Sequence, residues 1–133
     1  MTDIRPVNPW KWQDDFGFSQ AVEVRGDQRV LYCAGQTSVD ANGKPLHAGN
    51  IQAQLNLAID NLETVLKQAG LTLANVVRLN YYTTDVPAFM EAAAVVGNRL
   101  RDVRCKPSGT LLGVKSLFHP DAMVEIEATA VVP

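Results

Sequence analysis

The stretch VEIEATAVV, residues 124–132, alternates apolar and polar side chains close to the end of the chain. Successive side chains of a strand point to opposite faces, so Val124, Ile126, Ala128 and Ala130 form one apolar row while Glu125 and Glu127 share the other. Same-face neighbours on a strand lie roughly 6.6 to 7 Å apart, near enough for two carboxylates to repel where water is scarce. The pattern predicts a closing strand with one face on a core. Its acidic face is either a wet outer surface, the commoner fate of Glu, or a cleft. In a cleft, desolvation and the neighbouring charge would raise one pKa and suit that group to general acid or base work.

Working outward, the period changes from two to nearly four after Asn50, and Ile51, Leu55, Ile59, Leu62 and Leu66 fall on one helical stripe. Asn50 is placed to cap this helix and Gly70 to end it. A strand is expected over about Val76 to Thr84. Asp85 and Pro87 then open a second helix with the stripe Phe89, Ala93, Val96 and Leu100. Two final strands are expected over roughly Thr110 to Leu117 and Met123 to Val132. Upstream, a strand over about Ser19 to Arg25 turns at Gly26-Asp27 into Arg29 to Gly35 as a hairpin, and Asn42-Gly43 marks another tight turn. The first ~15 residues, with Pro6, Pro9 and two Trp, read as an extended arm pinned by aromatic burial.

Strands, helix, strand, helix, strands is the order of an α+β domain, a mixed sheet with two helices packed on one of its faces. Several strands are nevertheless apolar on both sides. Leu31 and Cys33 alternate with Val30, Tyr32 and Ala34, and Leu111 alternates with Leu112 and Val114. Two-sided strands belong to sheets covered front and back, yet two helices cover one side only. Leaving several large side chains bare would cost on the order of 1.5 to 3 kcal/mol each, so self-association is expected, with polar residues of that face lying in a groove between subunits.

The bulk numbers agree with a single domain spanning residues 1–133. Hydrophobic content is 47%, charged content 20% and net charge −2, which is ordinary for a soluble globular protein. The 12 Lys and Arg are scattered apart from RLRDVRCK, residues 99–106, a weak footprint for a nucleic-acid partner. MTDIRPVNPWKW has no signal-peptide pattern and no run reaches membrane-spanning length, so a cytoplasmic protein without a membrane partner is expected. Cys33 and Cys105 stand in no paired spacing with His47 or His119, which signals neither a zinc site nor a disulfide framework; buried, inert thiols are expected.

Two loops carry further candidates. In CAGQTSVD, residues 33–40, Gly35 lets the backbone approach a ligand or bend the strand, and Gln36 can donate or accept; a bulge closing the strand explains the same glycine. In KPSGTLLGV, residues 106–114, Ser108, Gly109 and Thr110 could present N–H groups and hydroxyls to an anion, or simply make a turn.

In order along the chain, FGFSQAVEV, LYCAGQTSVD, IQAQLNLAIDNLETVLKQAGL, VVRLNYYTTDV and PDAMVEIEATAVV resemble the YjgF/RidA family of reactive intermediate deaminases, some of which bear the older label L-PSP endoribonuclease. The resemblance covers nearly the whole chain. It implies a chorismate-mutase-like fold assembled as a homotrimer, with a small-molecule ligand in the cleft between neighbouring subunits. It implies hydrolysis of 2-imino or enamine acids to 2-oxo acids and ammonia, with no metal or organic cofactor. Glu125 aligns with the glutamate that activates water, Phe18 with an aromatic residue that packs on the ligand, and Gly35, Gln36 and Thr110 with groups that position it. Glu127 has no such counterpart role and is expected to be structural.

The resemblance breaks at Gly109, where the family carries an arginine that grips the substrate carboxylate as a bidentate fork. Losing that contact removes roughly 1.5 to 3 kcal/mol of recognition. Arg78, Arg104 and Lys106 are the candidate replacements. Phe18 also stands in place of a tyrosine, keeping the ring and losing the hydroxyl. Two readings stay open: an imine or enamine deaminase with an altered substrate, and a trimeric binding or protein-guarding module without turnover.

Overall fold

The structure, a computed structural model, describes residues 3–132; Met1, Thr2 and Pro133 of the expected domain lie outside the described residues. Strand β1 (Asp3–Val7) pairs antiparallel with β2 (Ala21–Arg25) in a two-stranded sheet. The remaining strands, β3 (Arg29–Tyr32), β4 (Val76–Thr83), β5 (Leu111–Gly113) and β6 (Val124–Val132), form a four-stranded mixed sheet ordered β3-β6-β4-β5. Only the β4–β5 pair is parallel.

Helix α1 (Ile51–Gln68) forms as its stripe predicts. Leu55, Ile59, Leu62 and Leu66 are buried, the Asn50 side chain accepts the Ala53 N–H at 3.0 Å, and Gly70 closes the end at φ 79°. Ile51 is only partly buried. Gln54 lies on the same stripe and is fully buried, which costs little because it donates to the His47 and Asp121 carbonyls and accepts the Met123 N–H. The helix therefore also ties down the approach to β6.

The second expected helix is two, α2 (Val86–Ala92) and α3 (Ala94–Asp102). Asp85 caps α2 through the Ala88 N–H at 3.1 Å. At Ala93 the backbone N–H reaches the Met90 carbonyl, the tighter 3-10 pattern, and breaks the run while leaving Phe89, Val96 and Leu100 on one buried side.

Three further expectations are corrected. The strand upstream does not form a hairpin with Arg29–Gly35: β2 takes β1 as its partner, and β3 pairs with β6. The arm is held by that β1–β2 ladder rather than by aromatic burial, since Trp10 and Trp12 are more than half exposed. The strand expected to reach Leu117 stops at Gly113, where the β4 edge it pairs with ends at Thr83.

The core lies between the helices and one side of the sheet, where Val124, Ile126, Ala128 and Ala130 join Leu55, Leu62, Leu66 and Leu79. Both cysteines are buried and free, and burial pushes the Cys105 thiol up to about 11. The other side of the sheet is open in the isolated chain. Tyr32 is 80% exposed, and Val30 and Leu112 on the same side are also bare. The two-sided strand pattern is thus real, with one side unpartnered within the chain.

Candidate functional site

β6 places Glu125, Glu127 and Thr129 on the open side, opposite Tyr82, Asn80 and Arg78 of β4. Antiparallel pairing puts directly opposed side chains within contact range, and here it builds a polar cluster. The Tyr82 hydroxyl and Asn80 Nδ2 both donate to Glu127 Oε1, the latter at 3.2 Å. Asn80 Oδ1 in turn accepts the Thr110 N–H at 3.1 Å, so Glu127 is tied through one amide to the 108–110 loop. These bonds, with some help from Arg78, hold the Glu127 carboxyl below its ordinary range. Tyr82 is held above its own for the same reason.

Glu125 has a different environment. Burial, then the charge of Glu127, push its carboxyl above the ordinary range. Its carboxylate lies in the space that a side chain at position 35 would fill: a Cβ on Gly35 would sit 1.8 Å from Glu125 Oε2 and 2.6 Å from Cδ. No side chain larger than hydrogen fits while Glu125 keeps this position. The backbone explains the approach. Cys33 N–H bonds to the Ala128 carbonyl, and the next ladder bonds join Gln36 and Ile126 in both directions. Three steps on one side match two on the other, so one extra residue bulges between Cys33 and Gln36. The glycine closes a bulge, and the bulge makes room for the acid.

Of the expected site residues, Gly35, Gln36 and Glu125 are thus brought together. Phe18, Gly109 and Thr110 form a second group, lining a cavity at the β5 edge between the 107–111 loop and the α2–α3 pair. That cavity contains none of the first group; Asn80 and Glu127 are the bridge between the two. Phe18 stacks edge-on against Trp12, ring centroids 5.8 Å apart. Gly109 is pressed onto β4. A Cβ there would lie 2.0 Å from the Leu79 carbonyl oxygen, a backbone atom that cannot swing away. The loop is fixed by ladder bonds on both sides, Leu79 N–H to Ser108 O at 2.8 Å and Tyr81 N–H to Thr110 O at 2.8 Å.

An arginine at 109 therefore requires a different loop path, not only a different codon. Of the three candidate replacements, Arg78 alone shares the acid's side of the sheet. Lys106 lies 3.8 Å from Asp14, and Arg104 adopts φ 56° beyond the end of α3. Asn80 and Tyr82 went unrecognised in the sequence, although their period-two spacing on a strand was available as a signal. Among the described residues no group of three or more His, Cys, Asp or Glu is placed to hold a metal ion.

A mixed sheet with helices on one side and a carboxylate lodged in a glycine bulge on the other defines an α+β protein with an acid-bearing sheet surface. Residues 14–132 match the family described as Endoribonuclease L-PSP. A RutC family protein from Aquifex aeolicus is 35% identical over 114 residues, covering 86% of this chain and 87% of the relative. The mitochondrial protein mmf2 of Schizosaccharomyces pombe is 32% identical over 126 residues, with 94% and 95% covered. The crystal structure of YyfB from Yersinia pestis, a Rid-family protein of unknown function, superposes with a TM-score of 0.87 at 36% identity, over 97% of this chain and 98% of that one.

The chain belongs to this family, the YjgF/RidA group, and its fold is the chorismate-mutase-like one.

Proposed function

We propose that this protein hydrolyses reactive imines or enamines to carbonyl compounds and ammonia in clefts between the subunits of a homotrimer, with Glu125 handling the proton. The observation that carries this reading is the carboxylate of Glu125, seated in the void of Gly35 on the side of the sheet that the chain's own helices leave open. A second copy laid on Tyr32, Val30 and Leu112 would shelter that acid further and turn an open surface into a cleft.

In the reaction the ionised Glu125 takes a proton from water as the water oxygen adds to the imine carbon. It returns that proton to nitrogen to give the carbinolamine, then takes the hydroxyl proton and passes it to the amino group as the C–N bond breaks, so that ammonia leaves as the carbonyl forms. A carboxyl held above its ordinary range suits both halves of this exchange near neutral pH. Glu127, held ionised by Tyr82 and Asn80, positions the strand and keeps that proton affinity high. No metal or organic cofactor enters the scheme.

A second reading rests on Gly109. Without the arginine, and with no room for one, the same cleft serves as a small-molecule binding or protein-guarding module without turnover. Ribonuclease chemistry draws no support from the scattered basic residues. Two buried free thiols suit a reducing compartment, the cytoplasm in this proposal, although two relatives, mmf1 and mmf2, are named as mitochondrial. No helix among the described residues is long and apolar enough to cross a membrane.

The two readings separate in a coupled assay that generates 2-aminoacrylate and neutral imines in situ. Ammonia release that disappears in Glu125→Gln supports the hydrolase. Release that survives that change removes Glu125 from the mechanism, and no release at high protein concentration leaves the binding module.

A further inference from the structure

The cavity beside Gly109 has a volume of about 220 Å³. Phe18, Phe89, Met90, Val96, Leu100 and Pro107 are among its walls, and among the described residues no Lys, Arg, Asp, Glu or His lines it. The chain has 26 acidic and basic residues (12 Lys and Arg plus 14 Asp and Glu), so a wall free of all of them fits an uncharged occupant. Polar groups at the loop edge are largely spent. Ser108 gives both its hydroxyl and its N–H to the Val77 carbonyl, and the Thr110 N–H goes to Asn80.

Two glycines line the space for different reasons. At Gly109 a side chain is forbidden by the Leu79 carbonyl. At Gly97, inside α3, a Cβ would meet nothing within 4 Å, so sterics do not demand glycine there. Glycine weakens a helix interior relative to alanine, and the lost propensity is not returned by close packing. What Gly97 does is leave the cavity wall bare. The size also restricts what fits. A dry apolar cavity of about 150 Å³ holds a benzene ring, whereas pockets for drug-sized ligands start at roughly 300 Å³.

From these observations we infer that the cavity is a binding site for a neutral, apolar group of single-ring size, kept open by Gly97. The inference does not depend on turnover at Glu125.

The test uses the full chain with toluene as the neutral probe and benzoate as its anionic counterpart. Methyl resonances of Met90, Val96 and Leu100 are expected to shift saturably with toluene. Benzoate is expected to bind about tenfold or more weakly, since its charge would be stranded among apolar walls. Gly97→Leu is expected to abolish the toluene response while the β6 amide resonances stay in place. Should that variant fail to fold, Gly97→Ala narrows the cavity by one methyl and is expected to raise Tm while weakening toluene. The inference is overturned by unsaturable toluene shifts, by benzoate binding equally well, or by Gly97→Ala binding toluene as the parent does. It is also overturned if dilution of the protein, rather than toluene, moves these methyls, because a second copy then fills the space. Toluene binding with no ammonia release in the imine assay sinks the hydrolase reading alone.

Discussion

The two sides of the four-stranded sheet share the strand β6 and use it differently. Toward the helices, Val124, Ile126, Ala128 and Ala130 are buried among leucines of α1. Away from them, the same strand presents Glu125 and Glu127 beside a bare Tyr32 and Val30. The closed side fixes where the strand runs. The open side inherits that precision for its polar residues, and even there the two glutamates differ: one accepts two donors from β4, the other is lodged against a glycine with few partners. Two residues of one type, two positions apart, have been driven to opposite proton affinities by what stands across the sheet.

The sharpest test of that contrast is Gly35→Ala. A methyl at this position displaces the Glu125 carboxylate while leaving the helix side untouched. If Glu125 is the proton handler, ammonia release should fall by about 10²- to 10⁴-fold, the usual contribution of a positioned acid or base, matching Glu125→Gln, with the circular dichroism spectrum retained. Activity within a few-fold of the parent would mean that the position of this carboxylate does not matter.

Next in size is the division of labour between the sides. Leu62→Ala on the closed side should cost about 2 to 5 kcal/mol in urea unfolding, whereas Tyr32→Arg should leave the secondary structure intact and shift sedimentation toward the single protomer at micromolar concentration. Unchanged association in Tyr32→Arg would show that the open side is not where copies meet.

The smallest expected effect is the pH response of stability. Glu125 has a folded pKa raised above its unfolded value, so its stabilising contribution is complete below the unfolded pKa and is lost as pH rises through the folded one. Glu127 is lowered, and its contribution is present above the unfolded pKa and lost as pH falls through the folded one. At neutral pH, Glu125→Gln should therefore raise Tm and Glu127→Gln should lower it, both differences shrinking in acid. Shifts of the same sign in thermal scans would mean that the two carboxylates share one environment after all.

Much of the scaffold could be read from residue order. The Asn50 cap, the α1 stripe, the Gly70 stop and the two faces of β6 rest on local geometry, where a helix period or a strand alternation leaves little freedom. Pairing was less legible. β2 and β3 are separated by a turn-forming Gly26-Asp27 that suits a hairpin, yet each found its partner elsewhere, because the choice among strands depends on distant segments. The single stripe from Phe89 to Leu100 concealed the step at Ala93, which alters one hydrogen bond without rotating the apolar side. At the candidate site, Glu125 and Gly35 were each visible as notable residues, but not as neighbours.

What residue order alone determined is the α+β element plan, the family, and an acid on the strand side away from the helices, all consequences of periodicity in short windows. Tertiary structure alone decided that Gly35 yields its space to Glu125, that Glu127 is spent on Tyr82 and Asn80, and that Gly109 is pinned against the Leu79 carbonyl. Each of these joins segments dozens of residues apart, and a contact of that kind has no local signature for a sequence to carry.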